Sequence, residues 1–397
     1  MNHLTAHSKD IETTMRQWRH DIHRHPELAF EEHRTADKVA DLLNEFGIEV
    51  HRGIGNTGVV GVLKKGNSDR IIGLRADMDA LKIQEQNTFD HRSVNEGKMH
   101  ACGHDGHTTM LLGAAQILST QGNFDGTVVF IFQPAEEHGE GARSMILDGL
   151  FERFPVSSVY AIHNFPSLAV GKFAVRAGSI MAAEDNFEIT INGTGCHAAM
   201  PHLGKDPIVI GSEIVTAMQS LVSRTLNPMD NAVVSFTEFV TNGTINVVPG
   251  QVILKGDTRS LTVDVQEHIE STMERIVSGI CAAHGATYEF NYVRNFVPTV
   301  NTPEEASISA KVAAKVVGEE NVVGDSRPVM TSEDFGYMLQ AKPGAYLLLG
   351  NGVEGIGGCS LHNPSYDFND DILGIGADFW VSLVESELAA ARPADSL

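Results

Sequence analysis

Cysteines, basic residues and long apolar runs are scarce in this sequence. Four cysteines spread over 397 residues do not form the dense pattern of a small, disulfide-stapled secreted fold. Lys and Arg number 29 against 51 Asp and Glu, and the resulting net charge of −22 repels nucleic-acid phosphates and anionic lipid surfaces. No apolar stretch approaches the ~18–20 residues of a membrane span. We therefore expect neither nucleic acid nor a membrane as a partner.

The first residues, MNHLTAHSKDIETTM, contain neither the positive start nor the apolar run of a signal peptide, which predicts a soluble, cytoplasmic protein. The hydrophobic fraction of 42% is ordinary for a globular fold. A chain of 397 residues exceeds what one hydrophobic core usually serves, so two domains are expected.

Two patterns of strands and helices divide the chain. Short apolar strands alternate with helices in its first and last parts, and this order predicts a layered α/β domain with a mainly parallel sheet. Between residues 184 and 294 the predicted order is β-α-β-β-α-β, which is typical of a ferredoxin-like α+β unit. We therefore predict an α/β fold with a discontinuous domain, residues 1–183 and 295–397, and an inserted domain, residues 184–294.

One glycine motif invites a different interpretation. Gly53, Gly55 and Gly58 match the G-x-G-x-x-G pattern of dinucleotide-binding folds. That fingerprint requires a strand before the glycines and a helix after them, whereas these glycines lead into a predicted strand. A hairpin turn is the better prediction.

Polar side chains follow three predicted strands at the points where these strands end. Asp77 follows IIGLRA, Glu136 and Glu137 follow TVVFIFQPA, and His163 follows SVYAI. Because ligands in open α/β sheets bind beyond the carboxyl ends of the strands, these side chains are expected to share one crevice.

Two further stretches add side chains of the same kind. HACGHDGH contains Cys102 and His104 and precedes a predicted helix, and SLHNPSYDFNDD contributes His362. Thiolate and imidazole suit zinc, and carboxylate also suits manganese. A bound metal lowers the pKa of its water from 15.7 to about 7, which supplies hydroxide at neutral pH. The combination predicts a metal-dependent hydrolytic site.

Each of these residues also has a simpler explanation. Glu136 and Glu137 could place favourable charge at a helix N-terminus, and His163 could be a hydrogen-bonded core histidine. Cys102 could be a nucleophile with His104 as its base, although this mechanism gives the paired glutamates no task. We interpret four other histidines as structural: His23, His25, His100 and His107.

Nine motifs carry a resemblance that runs from about residue 16 to about residue 390: RADMDAL, MHACGHDGHTTMLLGAA, FQPAEEHGEGA, AIHN, GTGCHAAMPH, NVVP, GDTRS, TSEDF and LHNPSYDFND. In this order they resemble the metallo-amidohydrolase family of hippurate hydrolase, N-acyl-amino-acid hydrolases and plant hydrolases of indole-acetyl amino acids. This family is a branch of the aminoacylase and carboxypeptidase superfamily of two-metal peptidases.

The resemblance implies two divalent metal ions, with manganese or zinc as first candidates and cobalt or nickel as alternatives. The implied ligands are Cys102, His104, Glu137, His163 and His362. Glu136 would be the general base and later the general acid.

Asp77 matches the aspartate of the superfamily's His-x-Asp element, which steadies the metal site. Here Arg75 occupies the position of that element's histidine ligand. Cys102 and His104 would then have to complete the ligand set.

The same resemblance implies that the inserted domain is a lid that also dimerises. His197 in GCHAAMPH would stabilise the oxyanion formed at the scissile carbonyl. Asn246 and Arg259 would hold the free carboxylate of the substrate. From the residues alone, His197 could instead be a locally hydrogen-bonded histidine at a strand end, and Arg259 an ordinary partner of Asp257.

The implied protein is an amidohydrolase that forms a homodimer or a dimer-based homo-oligomer, and its catalytic domain is the α/β domain. It would release an amino acid from a small N-acyl conjugate in which the acyl group is acetyl, benzoyl or aryl-acetyl. One alternative is a dipeptidase or carboxypeptidase with the same site. Another is a metal-containing binding protein without turnover. The intact pair Glu136 and Glu137 argues against this alternative, because a binding protein needs no general base.

Overall fold

The computed structural model describes residue 8 and residues 10–389, and within them the chain forms two compact units. The first unit contains the described residues through Ile180, then Val300–Arg327, and the described residues from Asp334 onwards. The second unit contains Met181–Thr299 and Pro328–Glu333.

The helices of the described residues are α1 (Glu12–Arg24), α2 (His33–Glu45), α3 (His104–Gln121), α4 (Gly141–Leu147), α5 (Leu150–Arg153), α6 (Pro207–Ser220), α7 (Val263–Ala283), α8 (Pro303–Val317), α9 (Phe335–Ala341) and α10 (Leu373–Glu387). The strands are β1 (Glu49–Ile54), β2 (Gly58–Lys65), β3 (Ile71–Asp77), β4 (Gly126–Gln133), β5 (Ser158–Pro166), β6 (Phe173–Val175), β7 (Gly178–Met181), β8 (Ala183–Asn192), β9 (Cys196–His197), β10 (Ala232–Thr241), β11 (Val247–Val248), β12 (Gln251–Ser260), β13 (Thr287–Phe296), β14 (Thr299–Asn301), β15 (Val322–Gly324) and β16 (Gly344–Gly352).

An eight-stranded sheet organises the first unit, with the strand order β1-β2-β4-β3-β5-β16-β6-β15. Strands β4, β3, β5 and β16 run parallel to one another at its centre. Strand β2 joins β4 in antiparallel orientation, and so does β6 with β16. The prediction of an α/β fold is confirmed, but the sheet is mixed because antiparallel strands flank its parallel centre.

The glycine motif lies in the hairpin between β1 and β2, which pair in antiparallel orientation. Gly53 and Gly55 have φ angles of 76° and 62°, which glycine adopts without steric cost. A Cβ on Gly55 would also lie 2.6 Å from the backbone nitrogen of Met145. The predicted hairpin turn is confirmed, and a strand follows the glycines where a dinucleotide fingerprint needs a helix.

Helix α3 is buried on almost every side, between other helices and the sheet. It packs against α1, α10 and β3. Close packing explains its glycines: a Cβ on Gly106 would lie 2.2 Å from the ring of Phe368. This burial fixes the start of α3, which carries His104.

The second unit contains an antiparallel sheet with the order β10-β12-β8-β13 and the helices α6 and α7. In chain order this is β-α-β-β-α-β, the ferredoxin-like arrangement. Its apolar core includes Ile189, Ile214 and Ile269. Pro328–Glu333 also belongs to this unit, because the Ala182 amide donates to the Thr331 carbonyl oxygen at 2.9 Å.

Among residues 10–389, no helix combines the length and the apolar character that a bilayer crossing requires. The cysteines Cys102, Cys196, Cys281 and Cys359 are all free thiols.

Candidate metal centre

The sheet order of the first unit places the polar strand ends side by side. Strand β3 ends at Asp77, opposite Gln133 at the end of the neighbouring strand β4. The chain then turns through Glu136 and Glu137, while β5, on the other side of β3, carries His163. These strands are parallel, so their carboxyl ends meet at one edge of the sheet, as the sequence predicts.

The structure brings the five predicted metal ligands together at this edge. The Cys102 thiol lies 3.4 Å from His163 Nε2. His362 Nε2 and His104 Nε2 lie 3.4 Å and 3.9 Å from Glu137 Oε1. In the sets Cys102, His104, His163 and Cys102, Glu137, His362, the ligand atoms all lie within 4.8 Å of one another. These donors can therefore surround one or two cations.

Two of these donor atoms are buried and have no hydrogen-bond partner among the described residues: His104 Nε2 and Glu137 Oε1. Leaving a buried polar atom unpaired costs about 1–3 kcal/mol, so native proteins pair such atoms with protein, water or an ion. Both atoms face the donor cluster. The site thus fits a bound metal ion.

Asp79, which lies in the RADMDAL motif but was not among the predicted site residues, orients two of the donors. Its carbonyl oxygen and Oδ1 lie 2.9 Å and 3.1 Å from His104 Nδ1, which leaves Nε2 turned towards the cluster. Its Oδ2 accepts the Glu137 amide at 3.1 Å. A carboxylate behind a metal-binding histidine fixes the ring and its tautomer. The signal in the sequence was the second aspartate, two residues after Asp77.

Asp77 lies behind the cluster at the end of β3 and is completely buried. Its Oδ2 accepts from Arg75 at 2.7 Å, and its Oδ1 lies 2.6 Å from His107 Nδ1. Burial alone would raise the pKa of Asp77, yet the charges of His104, Arg75 and His107 hold it well below its usual range. Asp77 is therefore a carboxylate anchored beside the cluster.

His107 joins this network through its second ring nitrogen, which lies 2.7 Å from Asn164 Oδ1. These bonds are compatible with the interpretation of His107 as a structural histidine, because its two ring nitrogens contact Asp77 and Asn164. Sequence reasoning missed that the network reaches the site. The available signal in the sequence was the position of His107, three residues after His104 at the start of a helix.

Arg75, where the resemblance leads one to expect a histidine ligand, is a buried cation. Besides Asp77, its guanidinium contacts Gln133 at 2.8 Å and Asp334 at 3.2 Å. A guanidinium has only donor groups and does not bind a cation. The candidate metal donors at this edge are therefore the thiol, imidazole and carboxylate groups and not Arg75.

The electrostatics of the cluster argue against a nucleophilic cysteine. Burial and the charges of Glu137 and Glu136 raise the pKa of Cys102 well above its usual value. Burial opposes protonation of His104, but the charges of Asp77 and Asp79 outweigh it and raise its pKa to about 10. A reactive thiolate needs a lowered pKa, whereas this surplus of negative charge calls for a cation.

Glu136 is 6% exposed and lies in a short 3₁₀ turn directly after Ala135. Its Oε2 is 3.9 Å from His104 Nε2. The helix that follows, α4, is not capped by the glutamate pair, because Asp334 accepts the Ala142 amide at 2.9 Å. The simpler explanation of Glu136 and Glu137 as helix caps therefore does not hold for α4, although both glutamates stand in the first turn of the short 3₁₀ helix.

The N-terminal helix α1 supports the cluster, although its histidines gave no sign of this in the sequence. His23 Nδ1 lies 2.8 Å from Asp105 Oδ2 in the first turn of α3, and His23 Nε2 lies 3.2 Å from Glu85. Arg19 also contacts Asp105, at 3.4 Å. Burial opposes charge on His23, but Asp105 outweighs it and raises the pKa of His23 to about 9.

Three predicted site residues lie in the second unit. His197, in β9, is exposed, and its Nδ1 accepts the Ala199 amide at 3.1 Å. Asn246 lies beside it, since its carbonyl oxygen accepts the Ala198 amide at 3.0 Å. The half-buried Arg259 pairs with Glu184 at 2.6 Å and, as its simpler explanation expects, with Asp257 at 2.9 Å.

A parallel sheet edge that presents thiol, imidazole and carboxylate donors beside a further glutamate is typical of metal-dependent hydrolases. The model of "Peptidase family M20/M25/M40" matches residues 73–386 of this chain. The chain therefore belongs to this peptidase family.

Relatives in the family carry several activities. Hippurate hydrolase of Campylobacter jejuni is 43% identical over 376 residues, which cover 94% of this chain and 96% of the relative. An "IAA-amino acid hydrolase" of Arabidopsis thaliana is 39% identical over 95% of this chain and 86% of its own length. "Thermostable carboxypeptidase 2" of Saccharolobus solfataricus is 38% identical over 93% of this chain and 94% of its own length.

A solved structure has the same fold at similar length. A Bacillus subtilis protein described as a dinuclear metal-binding peptidase of the M20 family superposes with a TM-score of 0.83 at 31% identity. The alignment covers 96% of this chain and 99% of that protein.

The His23–Asp105 pair predicts a pH-dependent stability. The folded pKa of His23, about 9, exceeds the ordinary value of 6.5, so its contribution is complete below pH 6.5 and is lost as the pH rises through 9. We expect His23→Gln to lower the free energy of unfolding by on the order of 3 kcal/mol at pH 6.5, and by much less at pH 9.5. Denaturant titration at both pH values measures this, with His25→Gln as the control. A constant or growing difference would contradict the assignment.

Proposed function

We propose that this protein hydrolyses the amide bond of N-acyl amino acids and releases a carboxylic acid and a free amino acid. The observation that carries the proposal is the convergence of Cys102, His104, Glu137, His163 and His362 beside the buried Glu136. The hippurate and indole-acetyl-amino-acid hydrolases among its relatives support the substrate class.

The five donors would hold two divalent metal ions. The dinuclear relative supports this number, and the clustered donors, with no hydrogen-bond partner for His104 Nε2 and Glu137 Oε1 among the described residues, support a bound cation. Imidazole and thiolate suit zinc, and the carboxylate also suits manganese, with cobalt and nickel as alternatives. When bound, the metal pair supplies Lewis acidity towards the scissile carbonyl and lowers the pKa of water.

Glu136 is the proposed proton carrier. Its carboxylate Oε2 lies 3.9 Å from His104 Nε2, beside the five proposed ligands, where it would take a proton from the attacking water. After the attack, the protonated Glu136 delivers this proton to the departing amine. Asp77 and Asp79 keep His104 and Glu137 in place during both transfers.

Three residues of the second unit are proposed to act on the substrate. His197 would stabilise the oxyanion, and Asn246 and Arg259 would hold the substrate's free carboxylate. Arg259 already pairs with Glu184 and Asp257, so a substrate carboxylate would have to join or displace these partners. In this role the second unit is a lid.

We further propose that the protein is a homodimer that pairs through its second unit. Strand β10 is an edge of the antiparallel sheet and exposes Val233 and Val240, and helix α6 exposes Ile208 and Val209 on the same unit. An unprotected edge with apolar neighbours invites pairing with a second copy around a two-fold axis. The cytoplasmic location stays a prediction from the sequence.

The roles of the two adjacent glutamates can be separated by substitution. Glu136→Gln should retain as much metal as the wild type but lose about 10²–10⁴-fold in kcat, because only the proton carrier is removed. The neighbouring Glu137→Gln is the matched variant and should lose metal, because a ligand oxygen becomes an amide. Metal analysis of both purified variants and their kinetics check this. Normal turnover by Glu136→Gln would exclude it as the base.

A panel of metals and substrates tests the proposed reaction. Removal of metal with a chelator should abolish turnover, and manganese, zinc, cobalt and nickel should be restored one at a time. We expect the metal-replete enzyme to favour N-acetyl, N-benzoyl and indole-acetyl amino acids over dipeptides and C-terminal residues of peptides. A preference for peptides would identify a carboxypeptidase or dipeptidase, and metal binding without any turnover would identify a binding protein.

The dimer is tested by placing a charge on its proposed interface. The wild type should sediment with the mass of two chains, and Val209→Asp should shift it to the mass of one. Leu147→Asp is the control, since Leu147 is an exposed apolar residue of the first unit. A monomeric wild type, or a Val209→Asp variant that remains dimeric, would contradict the proposed interface.

A further inference from the structure

Glu32 is a completely buried acid that the proposed reaction does not use. It stands directly before helix α2, in the stretch HPELAFEE of the N-terminal part of the chain. A buried carboxylate is costly unless its oxygens accept hydrogen bonds. The partners of Glu32 therefore indicate why an acid stands there.

Both oxygens of Glu32 are paired, and one partner lies at the metal centre. Oε1 accepts the Ala135 amide at 2.9 Å, and Oε2 accepts the Thr57 hydroxyl at 2.5 Å. Ala135 immediately precedes Glu136 and Glu137. A residue over 100 positions away in the sequence thus holds the backbone that presents the two glutamates.

The backbone held by Glu32 has an unfavourable conformation. Ala135 has a φ of 52°, in the left-handed region that side chains other than glycine rarely adopt. Such a residue persists only when its surroundings hold it, and it is common where a site needs a sharp change of direction. At the other end of the turn, Asp79 accepts the Glu137 amide at 3.1 Å. Two carboxylates therefore fix the turn, one at each end.

A simple capping role does not explain Glu32. Helix α2 is capped by Glu27, whose oxygens accept the Arg34 and Thr35 amides at 2.9 Å and 2.8 Å. Burial and the charge of Asp79 raise the pKa of Glu32 to about 7, so the acid is held against an energetic cost. Groups kept at such a cost cluster at functional sites.

We propose that Glu32 is a positioning residue, which fixes the left-handed turn at Ala135 and thereby aims the Glu136 carboxylate at the reacting water. This inference rests on the proposed role of Glu136 as the proton carrier. Among the described residues, the hydrogen bonds to the Glu32 carboxylate come from Ala135 and Thr57 and not from the five donors. Its removal should therefore impair kcat and leave metal binding and KM nearly unchanged.

Glu32→Met tests the proposal, because methionine retains the length of the side chain but has no oxygen to accept the Ala135 amide. We expect kcat to fall by about tenfold or more, with KM and bound metal close to those of the wild type. Glu32→Gln should recover most of the activity, since its amide oxygen can still accept that hydrogen bond. Glu27→Met, the matched control in the same segment, should lower thermal stability and leave kcat within about twofold.

A second substitution separates the turn from general stability. Glycine adopts a positive φ without steric cost, so Ala135→Gly added to Glu32→Met should raise kcat by about threefold or more over the single variant. Should Glu32→Met fail to fold, Glu32→Asp serves instead, since its shorter side chain withdraws the oxygen from Ala135. A kcat within twofold of the wild type, a loss equal to that of Glu27→Met, or no gain from Ala135→Gly would overturn the proposal.

Hydrogen exchange keeps this test independent of the proposed reaction. In Glu32→Met the amides of residues 135–141 should exchange about tenfold faster than in the wild type, whereas Glu27→Met should leave them unchanged. If the wild type cleaved no N-acyl amino acid, the proposed function would fail, but faster exchange would still support the control of the turn by Glu32. Unchanged exchange would overturn the inference whatever the substrate.

Discussion

The structure depends on negative charge concentrated at one edge of a sheet. The carboxyl ends of β3 and β4 and the turn after β4 bring Asp77, Asp79, Glu136 and Glu137 together in a largely buried space, and Cys102 adds a thiol. Arg75 neutralises part of this charge from behind, at Asp77. The rest needs a cation in front, because like charges in a space of low polarity are costly unless they are paired or bound to metal.

This concentration of charge explains why distant segments of the chain contribute contacts that hold the donor cluster at the sheet edge. Helix α3 must begin where His104 meets Asp79, so its first turn is tied to α1 through the buried pair of Asp105 and His23. The turn that carries Glu136 is fixed by Glu32, which comes from the segment between α1 and α2. A site assembled from distant segments is held by rigid elements, which is what metal binding and proton transfer require.

The α/β fold and the position of the site could be predicted from the sequence, because they follow from local patterns. Apolar strands followed by polar residues identified the edge that holds Asp77 and His163. The support for the donors could not be predicted, since it depends on side chains that meet only in three dimensions. Glu32 directly precedes a helix in a segment with no motif. Asp79 stands two residues after Asp77, and nothing in the sequence distinguishes the roles of the two aspartates. The antiparallel hairpin of β1 and β2 was predicted from its glycines, but the antiparallel pairing of β6 with β16 was not, because hairpin and crossover connections look alike in short apolar runs.

The central claim is that five donors from position 102 to position 362 enclose two cations beside Glu136. Anomalous X-ray scattering from crystals grown with manganese measures this directly. The account predicts two strong peaks, each within about 2.5 Å of its donor atoms, including Cys102 Sγ and His362 Nε2. Crystals of the metal-replete protein with no peak between these residues would contradict it.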